Sequence, residues 1–232
     1  MIVNGRPAAL GTKVDTAVDQ IIVDGKQLNF NQEAFVYIAL NKPKGVISSL
    51  QDELNQARTT VRDLIDIPGH LYPVGRLDKP SEGLMLMTND GDLAHKLTHP
   101  RYEHEKVYYV IVEGQLPRSK IAQWQLGVML DGKMTAPAKI RQLHQDERET
   151  HLRIVLREGR KRQIRRIAAE LGHPVKKLVR EQIGPLKLGD LPAGKWRHLT
   201  KEEVAALKTA VSTPPAPPAQ KTKKRRNVKR KR

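Results

Sequence analysis

Residues 75–91 read GRLDKPSEGLMLMTNDG, a polar loop that runs into an apolar segment and leaves it through a turn. Leu84 to Thr88, bounded by Gly83 and by Asn89-Asp90-Gly91, predicts a strand. Ahead of it Asp78 stands between Arg76 and Lys79, with a glycine at each end of the loop. Nearby cations favour the ionised carboxylate, the form that a nucleophilic or proton-abstracting aspartate requires. Taken alone, the same residues also make a solvated turn with local ion pairs.

Outward from this stretch the pattern predicts a mixed α+β domain over residues 35–211. Phe35 to Leu40 is a strand candidate closed by the turn Asn41-Lys42-Pro43-Lys44-Gly45, and Lys106 to Val112 and His151 to Leu156 are β-rich runs. Helices are predicted at Asp92 to Leu97, Arg118 to Leu126, Arg160 to Leu171 and residues 201–211. In the third of these Ile164, Ile167, Ala168 and Leu171 recur at helical spacing and Gly172 follows as a stop, so its arginines point away from the core.

The ends differ from this domain. Residues 1–28 read as short strands joined by turns at Asn4-Gly5 and after Asp24, too few to bury a core unaided. Thr213 onward is Pro-rich and then strongly basic with no acidic residue, so residues 212–232 are expected to be a disordered basic tail. Of the net charge of +17, nine positive charges lie in Lys221 to Arg232, which leaves the rest of the chain at +8. A domain that is basic without its tail points to a polyanion, nucleic acid first and an anionic membrane second. No helix-turn-helix or zinc module supports a general DNA-binding protein. The absence of cysteine removes disulfides, thiolate metal sites and cysteine nucleophiles and fits a reducing compartment. Neither a long apolar run nor a signal-peptide pattern is present, so the expectation is a soluble cytoplasmic protein without a membrane partner. His95 and His99 have i, i+4 spacing but lack the H-E-x-x-H pattern, and they read as exposed polar residues, not metal ligands.

VGRLDKPSEGLMLMTNDG resembles the signature of the small-subunit and large-subunit ribosomal RNA pseudouridine synthase family, and three further segments agree in order and spacing. EKVY at 105–108 is similar to the K-x-Y motif, EGRKRQIRR at 158–166 to the E-G-R-x-R-Q-I-R-R motif, and IGPLKLGDLP followed by WRHLT to the closing segment. The likeness runs from about Phe35 to Val204. Residues 1–28, with VNG, GTKV and DQIIVDG, resemble the C-terminal half of an S4 RNA-binding domain. The helical half that precedes VNG in that family is not matched here, so a docking hairpin is an equal reading.

The resemblance implies an α+β pseudouridine synthase fold, a mixed and mainly antiparallel sheet with flanking helices, and a catalytic nucleophile at Asp78. It further implies that Tyr108 stacks on the extruded uracil and that Arg165 pairs with the catalytic carboxylate, with Arg76 and Lys42 binding substrate. Each has a plainer reading. Tyr108 sits where an alternating strand puts a core aromatic, Arg165 among several helix arginines, and Lys42 in what reads as a basic turn. The implied reaction converts uridine to its C-glycoside isomer with no cofactor and no metal, on ribosomal RNA or a pre-ribosomal particle, by a monomer. The NKPKG, HEK and VKKL phrases and the tail favour a 23S uridine over a 16S one. A non-catalytic assembly factor on the same fold is the rival, and the presence of Asp78, Tyr108 and Arg165 together speaks against it.

Overall fold

The computed structural model describes residues 1–16, 18–28 and 34–212, so the expected tail lies outside the described residues from position 213 onward. The chain divides into two compact units, Met1–Phe35 and a larger one from Val36. In the small unit β1 (Ile2–Val3), β2 (Arg6–Pro7), β3 (Ile21–Val23) and β4 (Lys26–Leu28) form an antiparallel sheet in the order β2-β1-β3-β4. Asn4-Gly5 and Asp24-Gly25 both carry positive φ at both positions, which is the two-residue hairpin turn those dipeptides favour. Only Ile21 is a buried hydrophobic residue among those described in this unit.

The larger unit is built on β5 (Tyr37–Lys42), β6 (Tyr72–Val74), β7 (Glu82–Thr88), β8 (Lys106–Glu113), β9 (Met129–Leu130), β10 (Lys133–Met134), β11 (Lys139–Gln145), β12 (Glu149–Leu156), β13 (Val175–Ile183), β14 (Leu186–Lys187) and β15 (Trp196–His198). Strands β9 and β10 make a separate ribbon; the others form a nine-stranded sheet with the path β11-β12-β8-β13-β7-β5-β15, β6 pairing with β7 and β14 with β13. Every pairing in it is antiparallel except β13 with β7, where Val179 faces Glu82 and Arg180 faces Gly83. Among the described residues four α-helices flank it: α1 (Gly91–Thr98), α2 (Arg118–Leu126), α3 (Gln163–Glu170) and α4 (Lys201–Ser212).

The apolar run Leu84 to Thr88 is buried on both faces, which is why it lacks the alternation of a half-exposed strand. Leu84 and Leu86 pack with Leu93, Leu97, Leu207 and Val211 of α1 and α4, whereas Met85 and Met87 pack on Val46, Val61 and Ile65 from the long connection between β5 and β6. A third cluster joins Val110, Leu152 and Ile154 to Trp124 of α2 and to Ile164, Ile167 and Ala168 of α3. Asp90 closes the run and begins α1: its carboxylate accepts from the Leu93 amide at 2.9 Å and from the Tyr37 hydroxyl at 2.7 Å.

Three expectations are corrected. The first strand runs two residues past Leu40, because β5 keeps its pairing with β7 as far as Lys42 opposite Gly83, and Phe35 lies outside it. The third helix begins at Gln163 and not Arg160, because Arg162 adopts the left-handed conformation (φ 54°) that a right-handed helix cannot include. Strands β11 and β13 were not expected from the sequence at all, and β13 lies at the centre of the sheet.

Candidate active site

Asp78 sits in the loop between β6 and β7, half-exposed, and four groups from distant parts of the chain hold that loop. The Ser48 hydroxyl donates to Leu77 O at 2.7 Å and accepts from Leu77 N at 3.0 Å. The Gly45 amide donates to Lys79 O at 2.8 Å, and the Lys42 ammonium donates to Ser81 O at 2.8 Å. From α3, Arg165 Nη2 donates to Pro80 O at 2.9 Å and to Ser81 Oγ at 3.2 Å. Within the loop the Ser81 amide closes a turn onto Asp78 O at 2.9 Å. Among the described residues the Asp78 carboxylate makes no hydrogen bond or ion pair of its own, while the backbone that carries it is pinned on both sides.

The carboxylate borders a cleft of about 440 Å³, a size that suits a small-molecule-sized guest. The β6–β7 loop, the segment after α1, the start of β8, the turn before α3 and the middle of β13 form its walls. Tyr108 on β8 belongs both to the core and to this wall; it is 8 % exposed. The packing and cleft readings of that tyrosine therefore describe one position.

The arginine-rich segment before and within α3 divides its labour. Glu158 Oε1 accepts from Gln163 Nε2 at 2.6 Å and from the Ala136 amide at 2.9 Å, which fixes the turn into the helix. Arg160 donates to the carbonyls of Lys133 and Met134, tying the β9–β10 ribbon down, and Arg166 forms a two-pronged pair with Asp131. Lys161 and Arg162 remain exposed at the cleft, together with Arg76. Burial pushes the Arg165 guanidinium down and the nearby Asp78 carboxylate pulls it back up, so the two are electrostatically coupled.

Asp78, Tyr108, Arg165 and Arg76 are thus brought to one cleft, and Lys42 is not. Lys42 ends β5 fully buried, its ammonium spent on Pro43 O at 2.9 Å and Ser81 O, so it braces the Asp78 loop from behind and presents no face to a phosphate. Burial pushes that ammonium down to about 8 despite the pull of Glu82 and Asp78. Arg165 does not ion-pair with Asp78 directly, as the resemblance implied; its fork reaches the next turn of the same loop. Sequence reasoning missed Arg180, a cleft residue on the unexpected strand β13 that is 2 % exposed. No motif marks it, and the only local signal is the recurrence of Leu178 and Arg180 as inward positions.

Comparison with known proteins bears on the family and the fold. Residues 36–170 match the family model for RNA pseudouridylate synthase. The chain is 42 % identical over 211 residues to an uncharacterized RNA pseudouridine synthase of Aquifex aeolicus, covering 90 % of this chain and 84 % of that one. It is also 42 % identical over 210 residues to the ribosomal large subunit pseudouridine synthase B of Bacillus subtilis, covering 89 % and 84 %. A crystal structure of a pseudouridylate synthase superposes with a TM-score of 0.68 at 31 % identity, over 88 % of this chain and 87 % of the other. On sequence and on fold alike, the chain belongs to the RNA pseudouridine synthase family.

Proposed function

We propose that the chain isomerises a uridine of large-subunit ribosomal RNA and that Asp78 is its nucleophile. The observation that carries this reading is an unpaired carboxylate on a clamped loop, in a cleft shared with Tyr108 and Arg165. An enzyme that works on a base in folded RNA extrudes it into such a pocket, and an aromatic wall gives the extruded ring a surface to rest on. The N1–C1′ bond breaks, the base turns, and C5 bonds to C1′; the proton that C5 loses is matched by one that N1 gains, so nothing is oxidised and no group is carried away. Arg165 holds the turn after Asp78. Exposed Arg76, Lys161 and Arg162 at the opening supply phosphate contacts that position the RNA without reading it. The basic residues beyond position 213 and the S4-like residues 1–28 are proposed to add affinity without chemistry.

The large-subunit reading rests on the phrases NKPKG, HEK and VKKL and on the likeness to the Bacillus subtilis protein. Asp78→Asn, which removes the nucleophile but no phosphate contact, is expected to abolish pseudouridine formation and to leave RNA affinity within about twofold. Mapping pseudouridine in both ribosomal RNAs from a strain lacking the gene identifies the target. A missing 16S site would move the substrate to the small subunit, and wild-type turnover by Asp78→Asn would move the chemistry to another residue.

A further inference from the structure

The cleft holds cations that the reading above leaves idle. Arg180 lines it beside Asp78 and Tyr108 and is almost wholly buried. Its Nε donates to Leu84 O at 2.7 Å, but Nη2 is buried with no hydrogen-bond partner. The Tyr108 hydroxyl lies near enough to offset part of what burial costs its charge. Lys106, at the start of β8, lines the same cleft and donates only to His104 O, at 3.2 Å. Among the described residues neither cation has a carboxylate within ion-pair distance. They are close enough that Arg180, after burial itself, depresses the Lys106 ammonium.

A buried cation beside a half-buried one, with no counter-charge, is costly, and a buried donor left unsatisfied in a native fold calls for a cause. An anion that enters only with the reaction supplies one. Phosphates stay with the RNA backbone, where exposed Arg76, Lys161 and Arg162 meet them; what enters the cleft is the base. When the N1–C1′ bond breaks with its electron pair on nitrogen, the uracil becomes an anion whose charge is shared by N1, O2 and O4. If the ring is instead first attacked by the carboxylate, the charge still falls on a carbonyl oxygen.

We propose that Arg180, with Lys106 beside it, stabilises the negative charge that develops on the carbonyl edge of uracil as it separates from C1′. The electron pair then returns through C5 to C1′, the carboxylate of Asp78 departs, and the C5 proton is released to water while N1 takes one up, which restores the neutral base. Turning the ring about its N3–C6 axis exchanges O2 with O4 as it exchanges N1 with C5. One fixed positive group therefore meets a carbonyl oxygen both before and after the turn, and needs no movement of its own. Such preorganised charge in a poorly hydrated cleft acts far more strongly than in water. The inference rests on Asp78 being the nucleophile.

The test is single-turnover consumption of the target nucleoside in RNA carrying either uridine or 5-fluorouridine there, by wild type, Arg180→Met, Arg180→Lys and Lys106→Met. Fluorine withdraws electron density and makes the detached base a more stable anion. Arg180→Met is expected to lose on the order of 10²-fold with uridine and to recover a large part of that loss with 5-fluorouridine, whereas wild type gains little. Arg180→Lys, which keeps the charge, should retain most of the rate, and Lys106→Met should show a smaller loss with the same fluorine recovery. Should Arg180→Met fail to fold, Lys106→Met and Arg180→Lys carry the comparison. Equal losses on both RNAs would make these residues structural and overturn the proposal, as would an unchanged rate. Failure of the Asp78 reading is distinct: there, wild type forms no pseudouridine or Asp78→Asn remains active.

Discussion

Arg165→Ala tests whether the loop that carries Asp78 is held from α3. The substitution removes a hydrogen bond to Pro80 O at 2.9 Å and a pair of contacts to Ser81 Oγ at 3.2 and 3.3 Å. Ser81 is 1 % exposed, so its hydroxyl loses its partner in a buried place, which costs about 1–3 kcal/mol. The Pro80 carbonyl is exposed and regains water, so its bond counts at the low end, about 1 kcal/mol. Together these give about 2–4 kcal/mol of lost stability. At about 2–4 °C per kcal/mol for a domain of this size, the melting temperature should fall on the order of 10 °C. Activity should fall by about 10²-fold, since a nucleophile displaced by an ångström loses that much. Arg165→Lys puts a point charge where a planar fork reached two acceptors, and should recover only part of both losses. Thermal melts and single-turnover pseudouridine formation read the two effects, and a cycle with Ser81→Ala should give a coupling of about 1 kcal/mol. An Arg165→Ala protein with wild-type melting and rate, or additivity with Ser81→Ala, would refute the clamp and leave Arg165 as a surface arginine.

Two further outcomes follow from the same loop. Lys42 has a folded pKa of about 8 against about 10.4 unfolded; between those values the unfolded chain holds more protons, so stability should rise with pH by up to about 3 kcal/mol. Wild type should therefore gain melting temperature relative to Lys42→Met from pH 7.5 to 10, and parallel pH profiles would mean that the ammonium is not buried at a cost. A Cβ on Gly83 would stand 2.4 Å from Arg180 O and 2.5 Å from Arg180 N at a φ of +106°, so Gly83→Ala should cost on the order of 3 kcal/mol in urea denaturation. A cost below about 1 kcal/mol would show that β7 and β13 are not in such close approach.

How much of this was legible depended on whether the cause was local. Leu84 to Thr88 could be read because a strand buried on both faces must be apolar throughout, and α3 because Ile164, Ile167 and Ala168 repeat at helical spacing. Asp78, Tyr108 and Arg165 came from motifs. β13 was hidden because register shifts between Val175 and Lys177 and between Arg180 and Gln182 break its alternation, and because its outward positions are lysine and glutamate. Lys42 was misplaced for a different reason. Asn-Lys-Pro-Lys-Gly is turn chemistry, but the strand it ends is prolonged by pairing with Gly83, some forty positions away and invisible to any local window.

The placement of Arg180 follows from that same glycine. Because Gly83 has no side chain, β13 lies against the start of β7 and brings a buried guanidinium to the end of the loop that carries Asp78. Lys42 reaches that loop from β5 and Arg165 from α3, so cations meet Asp78 and Glu82 from two elements that are distant in sequence. In isolation such an excess is unfavourable, since Arg180 and Lys106 are desolvated without a counter-charge and Arg180 further depresses Lys42. A fold selected for stability alone would place carboxylates or apolar groups there. The excess is consistent with a chain whose partner is a polyanion and whose reaction puts transient negative charge on a base. On the proposal above, the RNA and the separating uracil bring the charge that offsets this cost.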